Sequence, residues 1–120
     1  MKILIIEDSE TCGQCLEMNI CLAFPTVEIV WHKTLMGGIQ EVDKNVDFVI
    51  LDLSLPDSMD PFMTIARFRP FMNVMPTIVI SGTENPMAML ESIDSGALVF
   101  IHKSKLDSII KVFSDFMRVA

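Results

Sequence analysis

The chain has 120 residues, of which 51% are hydrophobic and 21% are charged, and its formal net charge is −7. This length and composition allow one buried core and exclude wholesale disorder. The acidic balance argues against direct binding to nucleic acid or to an anionic membrane, and the four-residue apolar run before Glu7 is too short to span a bilayer or act as a signal peptide. We therefore expect a cytoplasmic protein.

Five short apolar runs, rich in β-branched residues, alternate with helix-length segments. Continuous apolar strands of this kind are typical of a parallel sheet that is covered on both faces. Right-handed crossovers between them favour a five-stranded, doubly wound α/β fold. The predicted strands are residues 2–6, 27–31, 48–53, 77–80 and 98–101.

The first two predicted helices lie in the N-terminal half of the chain. In the first, residues 10–24, Leu16, Ile20 and Phe24 recur on one face, and Pro25 ends the helix. The second, residues 34–42, contains a Gly-Gly pair, which weakens the helical pattern.

Capping residues define the remaining three helices. Asp60 and Asn85 each precede a proline, the preferred order at a helix start. Pro70 predicts a kink or an end of the third helix, and Gly96 fits the left-handed residue that closes the fourth. The fifth helix is predicted from about residue 105, with Ser104 as its cap.

Cysteines and histidines do not form a recognisable ligand set. Cys12, Cys15 and Cys21 are odd in number and close together, which favours reduced thiols on a helix. The Cys12-x-x-Cys15 spacing has no second pair to complete a zinc site. We expect His32 and His102 to be surface or internally bonded residues.

Polar residues end or follow four of the predicted strands. Ligands of doubly wound sheets bind beyond the carboxyl ends of the strands. The residues there are Glu7, Asp8, Asp52, Ser81 and Lys103. Clustered carboxylates repel each other unless a cation neutralises them, and Mg²⁺ prefers such oxygen ligands. The pattern therefore predicts a Mg²⁺ site.

Asp52 is the candidate nucleophile of this site. A carboxylate beside Mg²⁺ can attack a phosphoryl group to give an acyl phosphate. Lys103 and the metal would offset charge on the phosphoryl oxygens, and the Ser81 hydroxyl would donate to another oxygen.

Four motifs together resemble the response-regulator receiver domain of two-component phosphorelays, over essentially the whole chain, residues 1–120. They are Ile-Ile-Glu7-Asp8, Leu-Asp52-Leu-Ser-Leu-Pro56-Asp57, Val-Ile-Ser81-Gly82 and Phe100-Ile-His-Lys103. The resemblance implies a single domain of flavodoxin-like fold, strand order 2-1-3-4-5, and phosphotransfer from a sensor histidine kinase or phosphotransfer protein.

The resemblance also assigns roles. Asp52 corresponds to the phosphoacceptor, Glu7 and Asp8 to the metal-binding pair, and Ser54 to the residue whose backbone carbonyl binds the metal. Lys103 corresponds to the family's invariant lysine.

Further residues correspond to the switch and to the positions that set the lifetime of the phosphorylated state. Ser81 and Phe100 resemble the switch pair, and Ser54 and Thr83 the tuning positions. Switching would repack the surface formed by the fourth helix, fifth strand and fifth helix, where a homodimer or another partner contact is expected. Its apolar residues are Met87, Met89, Ile110 and Phe113, several of which core burial would explain equally well.

The chain departs from the family pattern at two places. Ser104 stands where many receivers have a proline after a cis bond, so a trans bond is expected here. Lys103-Ser104 is similar to receivers of LuxR-type regulators, so this is either a stand-alone receiver or part of a regulator whose output domain binds DNA. Asp60 replaces the usual glycine, which predicts a reshaped loop.

Three alternatives remain open. A haloacid-dehalogenase-like phosphatase also uses a strand-end aspartate, but it needs a second aspartate where Ser54 stands. A flavin- or nucleotide-binding module would have its phosphate repelled by Glu7 and Asp8. A degenerate receiver would serve only as an interaction module. We expect a switch rather than a turnover enzyme.

Overall fold

Five strands and five α-helices alternate in the computed structural model, which describes residues 1–119. Ala120, the last residue of the predicted domain, lies outside the described residues. The elements are β1 (Lys2–Ile6), α1 (Glu10–Ala23), β2 (Glu28–His32), α2 (Leu35–Glu41), β3 (Phe48–Asp52), α3 (Pro61–Met72), β4 (Thr77–Ser81), α4 (Pro86–Asp94), β5 (Val99–His102) and α5 (Ser108–Val119). None of the helices among these residues is long and apolar enough to cross a bilayer.

The strands form one parallel sheet in the order β2-β1-β3-β4-β5. This confirms the predicted doubly wound, flavodoxin-like topology. The register aligns Ile6 with His32 and Ser81 with His102, and therefore places the carboxyl ends of neighbouring strands at one edge.

Two apolar layers cover the sheet because strand side chains alternate between its faces. On one face, Leu4 and Ile6 of β1 belong to a buried cluster with Phe68 of α3. On the other, Ile3 and Ile5 join a cluster that contains Leu16 of α1, Ile20 of α1 and Phe113 of α5. This explains why the strand sequences are continuously apolar.

The Gly-Gly pair of α2 lets this helix lie close to the sheet. A Cβ on Gly38 would overlap the Ile6 side chain, and one on Gly37 would lie 2.9 Å from Nδ1 of His32. Thr34 caps the helix by accepting from the Gly37 N–H. Tertiary packing therefore outweighs the low helix propensity of glycine.

The structure places the end of one helix near its predicted position and corrects the start of another. Helix α3 ends at Met72, two residues after Pro70, and buried Phe68 and Met72 hold this part of the helix against the core. Helix α5 begins at Ser108, not near residue 105, and Ser104 does not cap it. Instead, Lys103–Lys105 form a 3₁₀ turn in which the His102 side chain accepts from the Ser104 N–H.

Two helix starts, the residue beyond α4 and the peptide bond after Lys103 agree with the predictions from the sequence. The Asp60 and Asn85 side chains accept main-chain N–H bonds at the starts of α3 and α4. Gly96, just beyond α4, has φ +115°, a conformation that favours glycine. No cis peptide bond occurs in residues 1–119, so the Lys103–Ser104 bond is trans, as predicted.

Candidate functional site

Three carboxylates converge at the carboxyl edge of the sheet. Glu7 and Asp8 follow β1, and Asp52 ends β3, which lies next to β1. One carboxylate oxygen from each lies within 4.8 Å of the other two. Glu7 and Asp52 are buried, whereas Asp8 is exposed. The structure thus brings the three predicted acids together.

Lys103 lies between the two buried acids. Its Nζ donates to Oε1 of Glu7 at 3.0 Å and to Oδ2 of Asp52 at 3.3 Å. Nζ also lies 2.8 Å from Oε2 of Glu7, but without hydrogen-bond geometry, so this buried oxygen accepts no hydrogen bond from the described residues. One ammonium group therefore serves two carboxylates.

The shortage of positive charge perturbs proton binding at the site. Burial, followed by the negative charge of Glu7, raises the pKa of Asp52 to about 7. Burial alone would lower the pKa of Lys103, but its hydrogen bond to Glu7 and the charge of Asp52 outweigh burial and raise it. Lys103 is therefore a fixed cation, while Asp52 changes charge near neutral pH.

The donor set fits a hard divalent cation. Three carboxylates supply the oxygen ligands that Mg²⁺ prefers, and Lys103 provides a single positive charge beside two of them. Asp8, Asp52 and Ser54 line one cleft of about 320 Å³ together with Thr83 and Lys103. This cleft has room for an ion, its water ligands and a small anion.

Ser81 is close to the cleft, but its hydroxyl is bonded within its own loop. Oγ donates to the main-chain carbonyl of Thr83 at 3.0 Å and accepts from the Thr83 N–H at 3.2 Å. A contact with a ligand in the cleft would require this hydroxyl to exchange its partner.

Phe100 of β5 packs partly buried against the core and lines a second cleft of about 450 Å³ with Met89 and His102. Of the four apolar residues assigned to the output surface, Met87 and Met89 are exposed and Ile110 is half-buried. Phe113 is fully buried against Phe48, so its placement on that surface was wrong.

Two aspartates form hydrogen bonds from the loop between β3 and α3. Asp60 caps α3 by accepting from the Phe62 N–H at 2.9 Å. Asp57 accepts from the N–H groups of Leu35 and Met36, at 2.8 and 2.9 Å, which ties this loop to the start of α2. The acidic side chain at position 60 thus points to the helix end.

Several side chains near Glu7 were not predicted to lie there. Burial and the nearby Glu7 carboxylate raise the pKa of Cys12 to about 12, so this thiol stays protonated. Trp31 donates from Nε1 to the main-chain carbonyl of Glu7. His32 contacts Oε1 of Glu41 at 2.9 Å, consistent with an internally bonded histidine. The sequence contained one indication of these contacts, because Trp31 and His32 lie at the end of β2, the strand that pairs with β1.

The sequence matches a known protein family. The family model of the response regulator receiver domain matches residues 3–113. Transcriptional regulatory protein KdpE of Staphylococcus aureus is 31% identical over 102 residues, which are 85% of this chain and 43% of that protein. The chain therefore spans less than half the length of this relative.

Solved structures show the same fold. The signal receiver domain of a DNA-binding response regulator from Colwellia psychrerythraea 34H matches with a TM-score of 0.86 and 21% identity, covering 98% of both chains. A LuxR-family DNA-binding response regulator from Staphylococcus aureus matches with a TM-score of 0.79 and 16% identity, covering 95% of this chain and 96% of that one.

Proposed function

Since the chain belongs to the response regulator receiver domain family of two-component systems, we propose that it accepts a phosphoryl group on Asp52. The donor would be a sensor histidine kinase or a phosphotransfer protein. The observation that carries this proposal is the position of Lys103, whose Nζ lies within 3.3 Å of both Glu7 and Asp52. A cation held there can pair with the Asp52 carboxylate before the transfer and with the oxygens of the incoming phosphoryl group during it.

The transfer step needs an ionised Asp52. Its Oδ forms a P–O bond as the P–N bond of phosphohistidine breaks, and the departing histidine nitrogen keeps that electron pair. Lys103 would offset the phosphoryl charge, and the Ser81 hydroxyl would leave the Thr83 carbonyl to donate to a phosphoryl oxygen.

Glu7, Asp8, Asp52 and the backbone carbonyl of Ser54 would hold Mg²⁺. When bound, this ion supplies positive charge that offsets the repulsion among the acids and the phosphoryl oxygens. The convergence of three carboxylates, two of which share the ammonium of Lys103, supports a further cation at this position.

Ser54 and Thr83 would set the lifetime of the acyl phosphate. Both are exposed at the cleft and small, which leaves room for an attacking water. We expect a lifetime far shorter than days. A half-life of days for the phosphorylated protein, followed by intact mass, would contradict this.

Switching would pass through Ser81 and Phe100 to the surface of α4, β5 and α5. Movement of Ser81 toward the phosphoryl group would let Phe100 turn inward, and exposed Met87 and Met89 would join a homodimer contact. Sedimentation should show a larger dimer fraction after phosphorylation. A protein that stays monomeric when fully phosphorylated, in this chain and in a longer parent regulator, would remove the dimer proposal.

The central test is intact mass after incubation with acetyl phosphate and Mg²⁺. We expect a phosphoryl adduct on the unmodified chain that is absent in Asp52→Asn and absent with a chelator. Asp94→Asn, an exposed aspartate at the end of α4, is the matched control and should form the adduct normally. An adduct that survives Asp52→Asn would refute the assignment, and no adduct at all would favour a degenerate receiver that serves as an interaction module.

A further inference from the structure

Trp31, the only tryptophan of the chain, reaches from β2 to the segment that carries the metal-binding acids. Its indole Nε1 donates to the main-chain carbonyl of Glu7 at 2.6 Å. We propose that Trp31 is a positioning residue for Glu7 and Asp8, and that its indole N–H sets the affinity of the site for Mg²⁺. The inference rests on the proposed function only in taking this acid pair as metal ligands.

Glu7 is fixed through its main chain and through its carboxylate. Its N–H donates to the His32 carbonyl at 3.0 Å, which extends the β1–β2 ladder by one bond. Its carboxylate accepts from the Ser9 N–H and from Lys103, both at 3.0 Å. Trp31 fixes the remaining group, the carbonyl of the peptide that links Glu7 to Asp8.

That carbonyl lies where the regular sheet ends. Strand β2 stops at His32, so the following main chain no longer runs beside β1 as a strand. The indole N–H donates to this carbonyl the hydrogen bond that a main-chain N–H would donate if β2 continued. Because the Glu7–Asp8 peptide sets the direction in which Asp8 leaves the sheet, the indole bond constrains exposed Asp8 as well as buried Glu7.

The indole is itself held in place by α1. Gly13 has no Cβ, and an added Cβ would overlap the six-membered ring of Trp31. Lys33 Nζ lies 5.6 Å from the ring centroid and donates to Glu10 at 2.7 Å. A substitution at Gly13 therefore displaces the indole without touching either acid.

A purely structural role makes a different prediction. Trp31 packs against the apolar cluster of α1 and α5, so its loss would lower stability whether or not it positions the acids. A positioning role requires the metal affinity to change when only the N–H is removed. Partners that orient metal ligands typically change metal affinity 10- to 100-fold when they are altered.

Because the chain has one tryptophan, a tryptophan analogue changes a single site. We would replace Trp31 by 3-benzothienylalanine, in which sulfur takes the place of the indole N–H, and measure Mg²⁺ affinity by calorimetry. We expect a Kd about tenfold higher for this protein and for Gly13→Ala, with little change in the urea midpoint of the analogue protein in chelator. Cys15→Ala, exposed on the same helix, should bind as the unmodified chain does.

A second readout uses Trp31 itself. Its emission should shift on Mg²⁺ binding in the unmodified chain, and this shift should be lost in Asp8→Asn. Unmodified Mg²⁺ affinity in the analogue protein would overturn the inference and leave the proposed function intact. If the unmodified chain binds no Mg²⁺, the proposed metal site and this inference fall together.

Discussion

Replacing Asp52 by Asn should stabilise the metal-free protein while it abolishes phosphorylation. The side chains of Asp52 and Glu7 are 3% and 0% exposed, and they share one ammonium group, that of Lys103. With both acids ionised, the site therefore contains one buried negative charge that no described side chain compensates. Asn removes that charge and keeps the shape of the side chain.

The pKa of Asp52 determines how this buried charge changes the free energy of unfolding with pH. Burial and the charge of Glu7 raise this pKa from 3.8 to about 7. Between these values the folded state binds more protons than the unfolded state, so the free energy of unfolding decreases as pH rises. Each pH unit across this window corresponds to about 1.4 kcal/mol, which gives a loss of about 3 kcal/mol between pH 5 and pH 8.

Urea unfolding in chelator, followed by circular dichroism at pH 5 and pH 8, measures this loss. We expect it in the unmodified chain and in the control Asp94→Asn, and we expect it to be largely absent in Asp52→Asn. Glu7→Gln should also reduce it, because Lys103 would then pair with Asp52 alone. The reasoning is refuted if Asp52→Asn loses as much stability as the unmodified chain over the same range.

Three further substitutions and one control test contacts in and around the site. Lys103→Met leaves two buried acids without a cation and should lower the free energy of unfolding by about 3 kcal/mol at pH 8, measured in urea without metal. Gly38→Ala should lower the free energy of unfolding by about 1 to 2 kcal/mol because its Cβ overlaps Ile6. The control Gly82→Ala, whose Cβ has Lys103 Cδ at 3.9 Å as its nearest described neighbour, should be nearly neutral in thermal unfolding. Asp57→Ala removes the carboxylate that accepts two N–H bonds of α2 and should cost about 1 kcal/mol, with faster amide exchange confined to the start of α2.

The order of strands and helices was predictable because each element carries its own local signal. Continuous β-branched runs marked the strands to within one residue at each end, and Asp60 and Asn85 marked two helix starts. The errors arose where tertiary contacts decide. Helix α3 runs two residues past Pro70 because Phe68 and Met72 are buried against the core, and residues 103–105 form a 3₁₀ turn that no propensity at Ser104 indicated.

The members of the site were predictable for a different reason. Parallel strands end at one edge, so residues 96 positions apart, such as Glu7 and Lys103, could be placed together from strand order alone. Strand order does not predict how side chains of neighbouring elements are oriented. That orientation decides the hydrogen bonds from Trp31 to Glu7 and from α2 to Asp57, and it decides which group the Ser81 hydroxyl bonds.

Mg²⁺ binding should release a proton below neutral pH, because the metal and the Asp52 proton compete for one buried carboxylate. With the pKa of Asp52 raised to about 7, this group is mostly protonated at pH 6 and mostly ionised at pH 8. Calorimetry in two buffers of different ionisation enthalpy should therefore report nearly one proton released per Mg²⁺ at pH 6 and almost none at pH 8. The same competition predicts weaker Mg²⁺ binding at pH 6, by about tenfold. Equal affinity and no proton release at pH 6 would mean that Asp52 is already ionised there, and that Lys103 compensates both buried acids.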